Sequence, residues 1–140
     1  MDWVLDCSLA LAWVLPDETA KPADRFREQL SGDGVLWVPA LWWYELSNAL
    51  IMAQRRRRLT EPDRILAVDL YGRLPLRTDA DLDPDTVKRF HALAQTHGLS
   101  AYDAAYLELA QRKGVGLATL DRDLLTAARK TGVRSTSSSK

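Results

Sequence analysis

Four carboxylates that lie far apart in the chain have the residue type and the placement to act on one ligand. Asp6 ends the first apolar run, and Asp121 directly follows the apolar run at residues 116–119. Asp103 falls in the first turn of a predicted helix, and Glu45 falls one to two turns into another. Carboxylate oxygens are the ligands that Mg²⁺ and Mn²⁺ prefer. If the fold brings these residues together, they form a candidate divalent-cation site.

The elements that position these acids alternate between strand and helix. Short apolar runs predict four strands, the third of them at an edge because it contains Pro75, and Val133 is a candidate start for a fifth. The predicted strands are residues 3–6, 35–38, 74–77 and 116–119, and the predicted helices are residues 8–15, 19–30, 40–58, 60–71, 83–95, 100–112 and 121–132.

This alternation predicts a single α/β domain with a central parallel sheet of about four to five strands and helices on both faces. The strands are apolar enough to be covered on both sides. Ligands of such sheets bind beyond the carboxyl ends of the strands, where the strand order reverses, and all four acids are expected at that edge. The domain is predicted to span residues 1–134, with a flexible serine-rich tail at residues 135–140.

Glu45 is the acid that is hardest to explain without a function. It is the only charged residue between Gly34 and Gln54, and a buried carboxylate without a partner costs several kcal/mol. Asn48 lies one turn later on the same helix face and is predicted to orient this carboxylate or a bound water. Asp123 is close enough along the chain to be a fifth acid. Clustered carboxylates repel one another, and a divalent cation relieves that repulsion.

Helix capping is a competing explanation for part of this set. Ser100 and Asp103 fit a capping box, Asp121 is a good N-cap, and Thr60 begins a similar box where no chemistry is predicted. Asp6 alone also fits a turn at the end of a strand. For these residues taken singly, capping and ligand binding both stay open.

Composition narrows the class of protein. Of 140 residues, 46% are apolar and 27% are charged, which is typical of a globular domain. The 19 basic residues balance the 19 acidic ones, which excludes a globally basic nucleic-acid binder but allows a local basic patch. Cys7 is alone and cannot form an internal disulfide, which favours the cytoplasm. No secretory segment is predicted, because Asp2 and Asp6 flank the first apolar run and no basic region precedes it. No membrane span is predicted, because Pro39 and Glu45 interrupt the longest apolar stretch.

Two other features of the sequence are candidate contacts to RNA or to another protein. Arg55, Arg56, Arg57 and Arg58 end a long helix, either as cations that complement the helix dipole or as contacts to an RNA backbone. The helix before them carries more large apolar side chains than one sheet face can bury, which predicts a protein-binding surface that Trp13 also joins.

Four segments together resemble the PIN domain, and in particular the VapC toxins of bacterial toxin–antitoxin modules. They are VLDCS at residues 4–8, YELSNAL at 44–50, LSAYDAAY at 99–106 and ATLDRDL at 118–124. The resemblance extends over nearly the whole chain. It implies that Asp6, Glu45, Asp103 and Asp121 are the metal-binding and catalytic acids. Further positions carry over as supporting residues: Ser8 and Thr119 as hydroxyls, and Asp123 at a position that is acidic in only some members.

The resemblance also implies an activity. Members are Mg²⁺- or Mn²⁺-dependent endoribonucleases that a cognate antitoxin holds silent, that leave 5′-phosphate and 3′-hydroxyl ends, and that form homodimers. The alternative is a non-catalytic PIN-like module that binds RNA or protein. A phosphatase with a nucleophilic aspartate is disfavoured, because Ser8 stands where that class needs a second aspartate.

Overall fold

A four-stranded parallel sheet forms the centre of the computed structural model, which describes residues 1–30 and 32–136. The strands are β1 (Trp3–Leu5), β2 (Leu36–Pro39), β3 (Leu76–Asp79) and β4 (Gly116–Ala118). Their order across the sheet is β3-β2-β1-β4, and all three neighbouring pairs are parallel. The predicted α/β architecture is confirmed.

Seven α-helices connect and cover the strands in the described ranges. They are α1 (Cys7–Ala12), α2 (Lys21–Gln29), α3 (Ala40–Arg55), α4 (Glu61–Gly72), α5 (Pro84–His97), α6 (Ala101–Lys113) and α7 (Arg122–Thr131). The side chains of Thr60, Asp83, Ser100 and Asp121 each accept a backbone N–H and so cap the four helices from α4 to α7. Within the same ranges, none of the helices is long and apolar enough to cross a membrane.

The sheet is covered unevenly. Every residue of β1 and β4 is buried, as expected for strands packed on both faces. In β3, Arg77 and Thr78 are exposed and Leu76 is only half-buried. The prediction that all strands are doubly covered is therefore wrong for β3, where the side chains of Arg77 and Thr78 stay accessible to solvent.

The long helix α3 is shorter than predicted. It ends at Arg55 rather than residue 58, and Arg57 adopts a left-handed backbone with φ of 60°. Such a backbone cannot continue a right-handed helix. The Arg58 guanidinium instead donates to both oxygens of Asp17, at 2.7 and 2.8 Å, and to Glu18 at 2.9 Å.

Trp13 is half-buried and contacts α2. Its ring stacks on Phe26 with ring centroids 6.4 Å apart, and its indole N–H donates to the Ala23 carbonyl at 2.9 Å. Because Trp13 is only half-buried, its predicted role in a protein-binding surface stays a prediction.

The predicted tail begins too early. Ser135 forms a parallel bridge with Leu117 of β4, which is all that exists of the predicted fifth strand in the described residues. Thr136 is buried, and its hydroxyl donates to the Thr119 carbonyl at 2.8 Å and accepts from the Thr119 N–H at 3.2 Å. Both residues therefore belong to the domain. The rest of the predicted tail, residues 137–140, lies outside the described residues.

Candidate active site

The carboxyl ends of β1 and β4 form the base of the candidate site. These strands are neighbours although they are the first and last in the chain, so the strand order reverses between them. The Asp6 N–H donates to the Ala118 carbonyl at 2.9 Å, which fixes the end of β1 against the end of β4. Asp6 and Asp121 therefore emerge from adjacent strand ends.

A hydroxyl network holds the Asp6 carboxylate. The Ser8 hydroxyl donates to Asp6 Oδ2 at 2.7 Å, and the Thr119 hydroxyl donates to the same oxygen at 2.6 Å. The Thr119 hydroxyl also accepts the Asp121 N–H at 3.0 Å, and the Ser8 hydroxyl accepts the Leu120 N–H at 3.1 Å. Ser8 and Thr119, which the resemblance implies are supporting residues, thus both contact Asp6, and their functional role stays a prediction. Asp6 Oδ1 receives no hydrogen bond from the described residues.

Glu45 is oriented by a residue that the sequence reasoning did not single out. It is half-buried, and the hydroxyl of the buried Tyr106 donates to Glu45 Oε1 at 2.5 Å. A buried tyrosine hydroxyl usually needs a partner, and Tyr106 lies three residues after Asp103 on the same helix. A tyrosine so close in sequence to a candidate acid was therefore a signal that Tyr106 could contact the site. Glu45 Oε2 has no hydrogen bond within the described residues.

The other two acids, Asp121 and Asp103, lie at the starts of helices, and only Asp121 caps its helix. Asp121 Oδ1 accepts the Leu124 N–H at 3.0 Å, so one oxygen caps α7 and Oδ2 is left over. The Asp103 N–H is accepted by the Ser100 hydroxyl at 3.1 Å. The hydroxyl rather than the Asp103 carboxylate is therefore the cap of α6.

The charges of the four acids act on one another. Burial raises the pKa of Asp6, and the negative charges of Glu45 and Asp121 raise it further, against the lowering effect of the two hydroxyls. Burial and the charge of Asp103 raise the pKa of Glu45, while the Tyr106 hydrogen bond opposes the shift. Burial, then the charges of Asp121 and Asp6, raise the pKa of Asp103. These acids therefore lie in one shared negative field.

No arginine, lysine or histidine in the described part of the chain forms an ion pair with Asp6, Glu45, Asp103 or Asp121. In those same residues, no three Asp, Glu, His or Cys side chains are grouped closely enough to ligate one ion together. Mg²⁺ typically takes one or two carboxylates and keeps several waters, so a complete protein cage is not required. The all-oxygen donor set, with one oxygen left over on Asp6, Glu45 and Asp121, fits such an ion.

Two of the predicted supporting residues are less closely tied to the site. Asn48 is exposed, and its side chain makes no hydrogen bond to the described residues. Asp123 is also exposed, but its charge contributes to raising the pKa of Asp103. Asp123 therefore lies near the site, and the functional roles of both residues stay predictions.

The arginine run is remote from the acids. Arg55 lies ten residues after Glu45 on α3, about 15 Å along the helix axis. Arg55 and Arg56 are exposed, whereas Arg58 is engaged by Asp17 and Glu18. Any RNA contact by this run would therefore be to nucleotides away from the acidic edge.

Comparisons with known proteins agree on the family. The family model described as PIN domain matches residues 3–130. Ribonuclease VapC3 of Pyrobaculum aerophilum is 32% identical over 124 residues, covering 89% of this chain and 92% of that protein.

Two solved structures share the fold. The crystal structure of Mycobacterium tuberculosis VapC20, titled a sarcin-ricin loop cleaving toxin, has a TM-score of 0.62 at 16% identity, covering 91% of this chain and 95% of that one. A toxin–antitoxin complex from Klebsiella pneumoniae has a TM-score of 0.56 at 17% identity, covering 86% and 88%. At these identities the likeness is one of fold.

Proposed function

Because this chain belongs to the PIN domain family, we propose that it is a metal-dependent endoribonuclease that acts as the toxin of a toxin–antitoxin pair. The substrate class follows from the related Ribonuclease VapC3, whose name states that activity. The observation that carries the proposal is the acidic edge, where Asp6, Glu45, Asp103 and Asp121 share a negative field and have no basic partner among the described residues.

In this proposal Asp6, Glu45, Asp103 and Asp121 hold Mg²⁺ or Mn²⁺, directly or through water, with the number of ions left open. The bound cation supplies activation of a water and neutralisation of charge on the phosphodiester. Ser8 and Thr119 fix one oxygen of Asp6, and Tyr106 fixes one oxygen of Glu45, so the remaining oxygens have a defined direction. Asn48 and Asp123 are assigned supporting roles at the rim.

The reaction is hydrolysis of an RNA phosphodiester. Water forms a new P–O bond, the bond from phosphorus to the 3′ oxygen breaks, and the ends are 5′-phosphate and 3′-hydroxyl. A rim carboxylate that does not ligate the cation accepts the proton of the attacking water. The leaving 3′ oxygen takes a proton from solvent.

The test is cleavage of total cellular RNA and of a mixed-sequence fluorogenic RNA by purified protein with Mg²⁺ or Mn²⁺. Cutting is expected to disappear with EDTA and in Asp6→Asn, and to persist in Asp69→Asn, an exposed acid on α4. Cutting that survives EDTA contradicts metal dependence. Folded protein that neither cuts RNA nor binds Mn²⁺ contradicts the nuclease proposal and favours the alternative, a non-catalytic RNA- or protein-binding module.

Exposed arginines are the proposed contacts to the RNA backbone, at Arg55, Arg56 and Arg57. Arg58 was predicted with them, but its ion pairs with Asp17 and Glu18 argue for a structural role. The variant Arg55→Glu/Arg56→Glu should weaken RNA binding and reduce its salt dependence. Affinity and salt slope equal to those of the unmodified protein would leave only the helix-terminus explanation.

Partner proteins are proposed to bind apolar surface on α3 and α4. Trp43 and Ile51 are exposed large apolar residues, and with Val68 of α4 they line one surface groove. We assign this surface to a homodimer contact or to the cognate antitoxin, in a cytoplasmic setting where the lone Cys7 stays reduced. Solution scattering at micromolar concentration should give a dimer mass, and a monomer mass would contradict the homodimer.

A further inference from the structure

A second groove opens beside the acidic edge and is not used by the mechanism above. It has a volume of about 240 Å³ and runs along α6 from Ala101 to Arg112, with the first turn of α3 and Phe90 of α5 also in its lining. Its apolar wall is formed by Leu41, Leu82, Phe90, Tyr102, Ala105 and Leu109. Tyr102 is 65% exposed and Leu82 is 62% exposed, so an aromatic and an aliphatic side chain of the groove are accessible to a ligand.

The groove shares its helix turns with the acids. Tyr102 directly precedes Asp103 and lies four residues before Tyr106, which places it one turn above the residue that hydrogen-bonds Glu45. Leu41 lies four residues before Glu45 on α3. The groove and the acids therefore share the first turn of α6, and on α3 Leu41 and Glu45 are one helix turn apart.

The charged residues of the groove are already paired. The Arg112 guanidinium donates to both Asp79 oxygens, at 3.0 and 2.7 Å, and to both oxygens of Glu108. Glu108 also accepts from Arg89 at 3.0 Å. With its one lining arginine engaged in this way, the groove is poorly suited to a phosphate group. It offers apolar and aromatic faces, which is the chemistry that receives an unstacked nucleobase.

We propose that this groove is a nucleobase subsite, in which a base of single-stranded RNA adjacent to the cleaved phosphodiester stacks on Tyr102. The inference rests on the proposed ribonuclease function and deepens it. A base must leave its stack to enter the groove, so the subsite acts on an unpaired nucleotide. Tyr102 is a positioning residue for the substrate and takes no part in the bond changes.

The test is binding of a fluorescent mixed-sequence single-stranded octaribonucleotide, measured by anisotropy in an Asp6→Asn background that prevents cleavage. Tyr102→Ala and Tyr102→Leu should bind about 5- to 100-fold more weakly, because one stacking contact is lost. Tyr102→Phe keeps the ring and should restore the affinity. Leu66→Ala is the matched control, since Leu66 is 63% exposed on α4 and does not line the groove. A blunt duplex of the same length should show no dependence on Tyr102.

Several results would overturn the inference. Equal affinity of Tyr102→Ala and its parent excludes stacking in the groove. A switch from dimer to monomer mass in Tyr102→Ala with unchanged RNA affinity makes the groove an interface between copies of the chain. In the cleavage assay, an unchanged KM in Tyr102→Ala alongside normal metal-dependent cutting removes the subsite and leaves the ribonuclease function standing. Absence of both RNA binding and cutting by the unmodified protein removes both.

Discussion

Two groups of acids lie near the same edge of the sheet and differ in their partners: one is paired with arginines, and the other has no basic partner in the described residues. Asp79 and Glu108 are 7% and 2% exposed, and Arg112 and Arg89 neutralise them through several charge-assisted hydrogen bonds. Asp6 is just as buried, at 6% exposed, yet its partners are two neutral hydroxyls. The first group is therefore charge-compensated within the fold. The second keeps charge uncompensated in the described residues, which is costly unless a cation binds.

The largest expected effect separates activity from stability at the acidic edge. Asp103→Asn should reduce RNA cleavage by about 10³-fold or more, because a ligand of the proposed cation site is lost. The free energy of unfolding without metal should stay equal or rise, because one of several repelling charges is gone. Chemical denaturation and cleavage rates measure the two effects. A clear loss of stability would instead indicate a structural carboxylate.

The opposite result is expected from the paired group. Arg112→Met should lower the free energy of unfolding by about 3 kcal/mol, because it leaves Asp79 and Glu108 buried without their shared partner. Arg129→Met, an exposed arginine on α7, is the control and should cost less than about 0.5 kcal/mol. Urea denaturation measures both variants. A loss in Arg112→Met no larger than in the control would show that the pairing adds nothing.

A smaller effect on cleavage is expected from the loss of one hydroxyl that holds Asp6. Ser8→Ala removes one of the two hydrogen bonds to Asp6 Oδ2 and leaves that of Thr119. Cleavage should fall by about 10- to 100-fold, as for other residues that orient a metal ligand. Ser8→Thr, which keeps a hydroxyl, should recover part of the rate. Equal rates in Ser8→Ala and the unmodified protein would mean that Thr119 alone orients Asp6.

The smallest effect is a pH dependence of stability without metal. The pKa values of Asp6, Glu45 and Asp103 are raised in the folded state. Between the ordinary carboxyl pKa and these raised values, the folded protein binds more protons than the unfolded chain. The free energy of unfolding should therefore fall as pH rises through that interval and stay lower above it.

Asp103→Asn should show a shallower decline than the unmodified protein, because one of the titrating groups is absent. Thermal unfolding at several pH values with EDTA measures both proteins. Parallel curves for the two would remove the Asp103 carboxylate from the set of groups that cause the decline.

The alternation of apolar runs predicted the elements well, because short buried strands and capped helices leave local signals. Boundaries failed where tertiary contacts decide them. The end of α3 depends on the left-handed backbone of Arg57 and on Arg58 reaching Asp17 and Glu18. The serine-rich composition predicted a flexible tail from residue 135. Instead, Ser135 forms a parallel bridge with Leu117 of β4, and the Thr136 hydroxyl donates to the Thr119 carbonyl.

The candidate site, like the fold, could be predicted from the sequence only in part. Strand ends and helix starts placed the four acids at one edge, because that placement follows from topology alone. The partners of the acids did not follow from local pattern. Tyr106 meets Glu45 from a helix 61 residues later, and Arg112 meets Asp79 across 33 residues. Tertiary contacts decide which acids pair with arginine and which have no basic partner, so local sequence could not predict this.

Asp6, Glu45, Asp103 and Asp121 are proposed to bind a divalent cation, because no basic side chain in the described residues forms an ion pair with them. The most direct test is titration of purified protein with Mn²⁺, with free ion measured by electron paramagnetic resonance. Saturable binding is expected in the unmodified protein and in Asp69→Asn, and its loss is expected in Asp6→Asn. Equal Mn²⁺ binding by Asp6→Asn and the unmodified protein, or no binding by either, would contradict the account.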